Sequence, residues 1–235
     1  MTSRIAVFAS GGGSNLQALL DFLASRGPQA ECAVALVVSD RADAGALERA
    51  RRAGIPTALI PARAQASELL AATRAHDIDF VALAGFLRLL PPELIKEFPN
   101  RIVNIHPALL PDFGGPGMYG ERVHRAVLLS GARVSGATVH YVDEEYDHGA
   151  ILAQWPAPVL ADDTMQSLAA RVLKVEHVLY PRVVDAVASG RWRFHSRPRA
   201  VPDAASYALM NWNEHRLVAD IEHAFGLAPT TPARS

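Results

Sequence analysis

The chain has few of the features that would assign it to a specialised class of protein. It contains one cysteine among 235 residues, which excludes a disulfide framework within the chain and indicates a reducing compartment. No apolar run reaches about 18 residues, the length that a membrane-spanning helix needs. The opening MTSRIAVFAS also lacks the apolar core of a signal peptide. We therefore expect a cytoplasmic protein with no membrane partner, in which Cys32 is a buried structural thiol.

Charge of one sign is also scarce. The chain carries 23 Lys and Arg against 24 Asp and Glu, for a formal net charge of −1, and no block of like charge stands out. A nucleic-acid-binding surface usually shows as a basic patch or stripe. We therefore expect no nucleic-acid partner, and any anion should bind locally through backbone groups and a few side chains.

Short strand patterns alternate with helical patterns through the first half of the chain. Strand patterns occupy residues 4–10, 32–39, 57–60, 79–84 and 102–105, and helical patterns occupy 15–24, 44–53, 67–75 and the residues after Pro91. Such alternation is typical of a parallel sheet whose strands are joined by crossover helices. It predicts an α/β fold, with a Rossmann-like, mostly parallel twisted sheet flanked by helices.

The pattern changes in the second half. Residues 137–142 and 150–154 predict an antiparallel strand pair, and a long helix is predicted over 164–188 with Thr164 as its N-cap. Beyond residue 190 the chain is richer in Arg, Pro and Trp, with one short helical pattern at 214–225. We predict one domain over residues 1–195 and a C-terminal tail of unassigned role over 196–235.

The most informative residues are Asn104 and His106, at the end of the strand pattern that Pro107 terminates. Residues two apart in a strand point to the same face, so the amide and the imidazole should project together. Attack on a carbonyl needs a donor for the developing oxyanion and a group that moves protons, and this pair supplies both. The alternative is that His106 is only a structural histidine beside an apolar strand.

A glycine-rich loop follows the first strand pattern. Its sequence is Ser-Gly-Gly-Gly-Ser-Asn, ending at Asn15, and a helix is predicted to begin there. A helix N-terminus presents free N–H groups and the positive end of the helix dipole, so Gly13, Ser14 and Asn15 could hold a phosphate. The loop is no P-loop and matches the dinucleotide pattern only in part, and a purely structural turn stays an alternative.

An acidic turn, DEEYDHG, precedes the last predicted strand. Most acidic clusters are solvated turns, but Asp147 immediately precedes His148 and Gly149, on a tight turn where a carboxylate could be held near another strand end. A carboxylate beside His106 would stabilise its protonated form and fix its orientation. A metal site built from His106, His124, Asp147 and His148 has no supporting ligand spacing, and we expect no metal.

Taken together, these sites closely resemble the phosphoribosylglycinamide formyltransferases, the folate-dependent family of purine synthesis. The resemblance covers residues 4–195 and extends over SGGGSNLQALL, VSDRADAGALERARRAGIP, LAGFLRLL, NIHPALLP, GMYGERVHRAVL, SGATVHYVDEEYDHGAIL and RVLKVEHVLYPRVV. The segment NIHPALLP is shared with other folate formyltransferases and hydrolases. The opening SGGGSNLQ is more specific to the glycinamide-type family.

The resemblance implies a reaction and a catalytic trio. The formyl group of 10-formyltetrahydrofolate, a co-substrate, would pass to the amine of 5-phosphoribosylglycinamide in de novo purine biosynthesis. Asn104 would stabilise the oxyanion, helped by His106, which would also move a proton to the folate leaving nitrogen. Asp147 would support the charged imidazole and help order a water for proton relay.

The resemblance also implies two binding regions. The substrate would be held by Gly13, Ser14, Asn15 and Glu176. The folate would be held by the backbone of Leu87, Arg88, Leu89 and Leu90 and by Asn104. The turn over residues 143–147 would complete the folate pocket.

This sequence departs from the family pattern in two places. The segment over residues 61–75 is shorter, so neither Arg63 nor Arg74 is assigned to the folate. The acidic turn reads Glu-Tyr-Asp-His in place of the commoner Leu-Asp-Gly-Gly, although Asp147 is retained.

Several alternatives stay open at this point. A formyltetrahydrofolate hydrolase would use a similar trio with water as the acceptor, but usually carries an added N-terminal domain. Formyl transfer to methionyl-tRNA would require a longer, more basic C-terminal domain. A non-catalytic nucleotide-binding module would use Asn104 and His106 only structurally. The partners expected are small-molecule substrates, and a monomer and a homodimer are equally compatible with the sequence.

Overall fold

The chain forms one seven-stranded sheet with helices on both faces. A computed structural model describes residues 2–60 and 66–191. The strands are β1 (Ser3–Phe8), β2 (Cys32–Ser39), β3 (Thr57–Leu59), β4 (Phe80–Leu83), β5 (Ile102–His106), β6 (Val134–Tyr141) and β7 (Ile151–Pro158). The helices are α1 (Ser14–Arg26), α2 (Gly45–Arg52), α3 (Ala66–Ala75), α4 (Pro92–Glu97), α5 (Glu121–Leu129) and α6 (Met165–Ala188).

The strand order is β3-β2-β1-β4-β5-β6-β7. The strands β1 to β5 all run in the same direction. The strand β6 runs antiparallel to β5, and β7 runs antiparallel to β6. This confirms the predicted mostly parallel α/β sheet, and it confirms that the last two strands form an antiparallel pair. Cys32 is buried at the start of β2, as expected.

Each face of the sheet has its own apolar core. The larger core joins one face to α1, α2, α5 and α6, through residues such as Leu16, Val127 and Val172. The smaller core joins the other face to α3 and α4, through Leu69 and Leu94. Since both faces are covered, the parallel strands are apolar throughout, which explains why runs such as IAVF and FVAL are uninterrupted.

The long helix α6 begins where the sequence predicted. The Thr164 hydroxyl accepts a hydrogen bond from the Ser167 N–H, and the Ser167 hydroxyl accepts one from the Thr164 N–H, a reciprocal capping arrangement. Arg171, in the second turn of the helix, binds both carboxylate oxygens of Asp163 at 2.6 and 2.9 Å. The start of α6 is therefore fixed by four side chains.

Some elements differ from the expectation. The helix α5 was not predicted as an element, and β6 and β7 extend beyond the predicted 137–142 and 150–154 to Val134 and Pro158. The predicted tail over 196–235, its helical pattern at 214–225 and the end of the predicted domain at 195 lie outside the described residues. No helix in the described part of the chain is long and apolar enough to cross a membrane.

The connections create a topological switch point between the carboxyl ends of β1 and β4. The strand β1 lies between β2 and β4, so the crossovers that leave the ends of β1 and β4 diverge to opposite sides. In open α/β sheets, ligands bind in the crevice that forms there, at the carboxyl ends of the strands. The two strand ends are joined by Ser10, whose N–H donates to the Gly85 carbonyl at 3.0 Å and whose hydroxyl accepts from the Leu87 N–H at 3.2 Å.

Candidate active site

A cavity of about 670 Å³ opens at the carboxyl ends of β4 and β5. Its volume lies within the usual range for a small-molecule site. The cavity brings together most of the residues that the sequence singled out: Asn15, Leu87, Arg88, Leu89, Leu90, Asn104, His106, Asp147 and Glu176. Gly13, the N-cap of α1, and Ser14, its first residue, do not line the cavity.

The end of β5 presents both Asn104 and His106 to this cavity, as the same-face spacing predicted. His106 is 2% exposed. Its Nε2 lies 2.9 Å from the backbone carbonyl oxygen of Phe113, and its Nδ1 lies 3.4 Å from Oδ2 of Asp147. Because both ring nitrogens face oxygen acceptors, an imidazolium donates to both at once, whereas a neutral imidazole satisfies one.

Asp147 lies in the turn before β7, with a left-handed backbone conformation (φ 55°). Besides His106, it contacts Nε2 of His140 at 3.5 Å and accepts a hydrogen bond from the Gly115 N–H at 3.0 Å. Burial opposes ionisation of this carboxyl, but the hydrogen bond from His106, the charge of His106 and the hydrogen bond from the Gly115 N–H together hold its pKa well below its usual range. Asp147 is therefore an ionised carboxylate at neutral pH.

His140 is a residue that the sequence analysis did not identify. It lies on β6 directly opposite Asn104, and the Asn104 amide nitrogen is 3.1 Å from its Nε2. Its Nδ1 donates to the backbone carbonyl of Tyr141 at 2.7 Å, which leaves Nε2 to accept from Asn104 in the neutral ring. The strand pattern of β6 was visible in the sequence, but the register that places His140 beside Asn104 was not.

The glycine loop forms the N-terminus of α1. Gly13 is the N-cap residue, with φ 75° and no side-chain cap. A Cβ added to Gly13 would lie 2.7 Å from the Cα of Ala46 at the start of α2, so only glycine fits this approach. The helix therefore starts with free N–H groups, which is the arrangement that anions bind.

Asn15 and Glu176 connect α1 to α6 at the edge of the cavity. The Asn15 amide donates to the Glu176 carboxylate at 2.6 Å, and both residues are 8% exposed. Burial raises the pKa of Glu176, and the hydrogen bond from Asn15 and the charge of His106 offset this only in part. The side-chain oxygen of Asn15 (Oδ1) is buried without a partner among the described residues, so it can accept a hydrogen bond from a ligand.

The segment after β4 forms the opposite wall. Gly85 turns the chain with φ 75°, and the following residues lie along the cavity. Leu87 and Leu89 are 42% and 43% exposed, while Leu90 is buried. This wall offers half-exposed apolar surface to a ligand in the cavity. The turn residues Glu145 and Tyr146 also line the cavity.

A further wall was missed at the sequence level. Residues 115–120, between β5 and α5, line the cavity with three glycines, Pro116, Met118 and Tyr119. The guanidinium of Arg122 lies 4.9 Å from the centre of the Tyr119 ring. The segment has no periodic pattern, so only its glycine content could have indicated a loop with a function.

The four residues of the possible metal site do not all come together, although His106 and Asp147 are in contact. His148 pairs instead with Asp143, at 2.9 Å on the exposed turn. Burial and, to a lesser degree, the charge of His106 lower the pKa of His124. Within residues 2–60 and 66–191, no group of three or more His, Cys, Asp or Glu side chains is placed to hold a metal ion.

Comparison with known proteins agrees with this geometry. A sequence profile described as formyl transferase matches residues 3–184. The chain is 48% identical over 199 residues to the chloroplastic phosphoribosylglycinamide formyltransferase of Arabidopsis thaliana, which covers 81% of this chain and 68% of that protein. The matched region is about two thirds of the length of the plant relatives.

Solved structures give the same result at the level of the fold. The glycinamide ribonucleotide transformylase 1 of Symbiobacterium toebii is 42% identical, with a TM-score of 0.75 over 83% of this chain and 92% of that one. A formyltetrahydrofolate deformylase of Pseudomonas syringae pv. tomato is 27% identical, with a TM-score of 0.74 over 83% of this chain and 64% of that one.

Proposed function

Since the chain belongs to the formyl transferase family, we propose that it transfers the formyl group of 10-formyltetrahydrofolate to the amine of 5-phosphoribosylglycinamide, in de novo purine biosynthesis. The observation that carries the proposal is the convergence of Asn104, His106 and Asp147 in one cavity with the wall over residues 87–90 and the Asn15–Glu176 pair. The cavity therefore offers a formyl-transfer centre between two binding regions.

The chemistry follows from the contacts at the end of β5. The substrate amine attacks the formyl carbon, a C–N bond forms, and the carbonyl oxygen becomes an oxyanion. The Asn104 amide and the protonated imidazole of His106 stabilise that charge. The bond to N10 of the folate then breaks as His106 donates a proton to N10, and the proton that the amine loses returns to His106, so that one proton passes from the amine to N10.

Asp147 and His140 act through the other two side chains. Asp147 holds the His106 imidazolium by charge and by hydrogen bond, since their atoms are 3.4 Å apart. His140 accepts from the Asn104 amide, which leaves the second amide hydrogen of Asn104 for the oxyanion. Both are positioning residues in this proposal.

The two substrates would lie on opposite sides of the trio. The phosphate would bind the free N–H groups of Gly13, Ser14 and Asn15 at the start of α1. The Asn15 carbonyl oxygen and the Glu176 carboxylate would accept hydrogen bonds from the sugar or the glycinamide. The pteridine would lie along the backbone of Leu87, Arg88, Leu89 and Leu90, closed by the 143–147 turn.

The hydrolase alternative is the nearer competitor, because a deformylase shares this fold. Two observations favour transfer. The sequence identity to relatives named as phosphoribosylglycinamide formyltransferases reaches 48%, against 27% to that deformylase. The chain also keeps a free helix N-terminus and an unpartnered Asn15 oxygen beside the trio, which an enzyme that uses water as its acceptor does not need.

The test is an assay of the purified protein with 10-formyltetrahydrofolate, with and without 5-phosphoribosylglycinamide. Release of tetrahydrofolate that requires the glycinamide is the expected result. Release without it would assign a hydrolase. No release in either case would point either to another acceptor or to the non-catalytic module, in which Asn104 and His106 are structural.

Location and assembly stay predictions. The plant relatives are named as chloroplastic, whereas for this chain we propose a cytoplasmic location from its cysteine content. Size-exclusion chromatography with light scattering distinguishes a monomer from a homodimer.

A further inference from the structure

The glycine loop is held from its outer side by α2. The Ala46 N–H donates to the Gly11 carbonyl at 3.1 Å, and Arg49 reaches over the loop. The Arg49 Nε donates to the Gly12 carbonyl at 2.8 Å, and its Nη1 donates to the Gln17 side chain on α1 at 3.1 Å. One guanidinium therefore joins the loop to the helix that follows it.

Arg49 carries a charge that no carboxylate neutralises. Arg51 and Arg52, its neighbours on α2, both pair with Glu48, whereas Arg49 has no acidic side chain within 4.0 Å among residues 2–60 and 66–191. Arg49 is half-buried, so water screens its charge less than that of the exposed pair. A partly buried cation without a counter-charge favours an anion nearby.

The hydrogen bond to Gly12 also fixes the direction of a neighbouring donor. In a trans peptide unit, the carbonyl and the following N–H point in opposite directions. Because the Gly12 carbonyl points at Arg49, the Gly13 N–H points away from it, and this N–H meets no acceptor among the described residues. Arg49 thereby holds one free donor of the loop in a set direction.

We propose that Arg49 is a positioning residue for the acceptor substrate. It holds the Gly12–Gly13 peptide so that the Gly13 N–H stays directed at the 5-phosphate, and its charge adds attraction for the dianion. This inference rests on the proposed function, because that function places the phosphate at the start of α1.

A second element experiences the same charge. His177 follows Glu176 on α6, and its Nε2 is buried without a partner in the described part of the chain. Burial lowers the pKa of His177, and the charge of Arg49 lowers it further. The charge of Arg49 therefore acts on α6 as well as on the loop.

Kinetics separate this role from a general structural one. The variant Arg49→Gln loses the charge and is expected to raise KM for 5-phosphoribosylglycinamide about tenfold, the usual size of one charge-assisted hydrogen bond. The KM for 10-formyltetrahydrofolate and kcat should stay within about twofold, since the contacts at the end of β5 are untouched. Arg49→Lys keeps the charge but lacks the planar guanidinium. Its KM for 5-phosphoribosylglycinamide should therefore lie between those of the wild-type chain and Arg49→Gln.

The matched control is Arg52→Gln, on the same helix, where the side chain is exposed and pairs only with Glu48. It should leave all three kinetic constants unchanged. An equal rise of both KM values in Arg49→Gln, or no rise in either, would overturn the inference.

Binding of ribose 5-phosphate, measured by calorimetry against ribose, tests the inference apart from any chemistry. The wild-type chain and Arg52→Gln should bind ribose 5-phosphate equally, and Arg49→Gln about tenfold more weakly. Equal binding by all three, or none by the wild-type chain, would refute the role of Arg49. If the wild-type chain transferred no formyl group yet bound ribose 5-phosphate through Arg49, the proposed function would fail and the phosphate site would stand.

Discussion

Four polar side chains at the ends of β5 and β6 restrain one another. His106 and His140 each contact one oxygen of Asp147, and His140 also contacts the Asn104 amide. In such a network, removal of one side chain leaves the others without a hydrogen-bonding partner. Single substitutions should therefore change rate and pH dependence more than they change the fold.

The first prediction concerns the proton-moving group. His106→Ala should keep its circular dichroism spectrum while formyl transfer falls by roughly 10²- to 10⁴-fold, the range for loss of a general acid or base. His76→Ala, in a half-buried position after α3, is the matched control and should retain full turnover. Unchanged turnover in His106→Ala would refute the proposed mechanism.

The second prediction concerns the carboxylate. Asp147→Asn keeps the shape and the acceptor for the Gly115 N–H but removes the charge, so kcat should fall about a hundredfold. A carboxylate stabilises a protonated histidine beside it, so the pH–rate profile should move to lower pH. Rates measured from about pH 5 to 9 decide this, and an unmoved profile would contradict the role.

The ionised carboxylate of Asp147 should also contribute to the free energy of unfolding. The pKa of Asp147 is lower in the folded chain than the unfolded value of about 3.9, so its stabilising contribution is complete above that value and is lost as the pH falls below it. The free energy of unfolding of Asp147→Asn should therefore lie below that of the wild-type chain at neutral pH. Urea titrations should show this difference shrinking below about pH 4.

At the scale of elements, α6 packs in the larger core and reaches both the end of β4 and the cavity. Its start is capped by Thr164 and fixed by the Asp163–Arg171 pair, and the Tyr180 hydroxyl donates to the Leu83 carbonyl at the end of β4 at 2.7 Å. The helix also carries Glu176 into the cavity. Its stability and the position of the acceptor side are thus connected.

Substitution of Thr164 measures how much the N-cap of α6 contributes to stability. Thr164→Ala should lower the free energy of unfolding by about 1 kcal/mol, because it removes the side-chain acceptor for an otherwise free N–H. Thr164→Ser keeps the hydroxyl and should lie within a few tenths of a kcal/mol of the wild-type chain. Chemical denaturation measures both, and an equal loss in both variants would show that the cap contributes little.

At the scale of the whole molecule, local sequence patterns predicted most of the architecture. The strand over 32–39 and the long helix capped by Thr164 were located from periodicity and cap chemistry alone. Long-range pairing could not be read in this way, which is why His140 was not assigned although its strand was predicted. The cavity wall at residues 115–120 was missed for another reason, because an irregular segment has no period to detect.

The domain boundary remains a prediction that truncation can test. Arg191, the last described residue, forms ion pairs with Asp185 and Glu31, so a chain that ends after residue 195 keeps these contacts. It should retain turnover within about twofold and a similar unfolding midpoint, because it keeps every residue of the two described cores. A chain that ends after residue 180 removes the buried Val183 and Val184 and should fail to fold.

The reversal of strand direction at β6 determines how the site is distributed along the chain. Because β6 returns beside β5, the proposed chemistry lies in one unbroken stretch, from residue 104 to residue 147, whereas the phosphate loop and Glu176 lie before and after it. The residues that carry the proposed chemistry therefore form one contiguous segment of the chain, separate from the residues that would bind the acceptor.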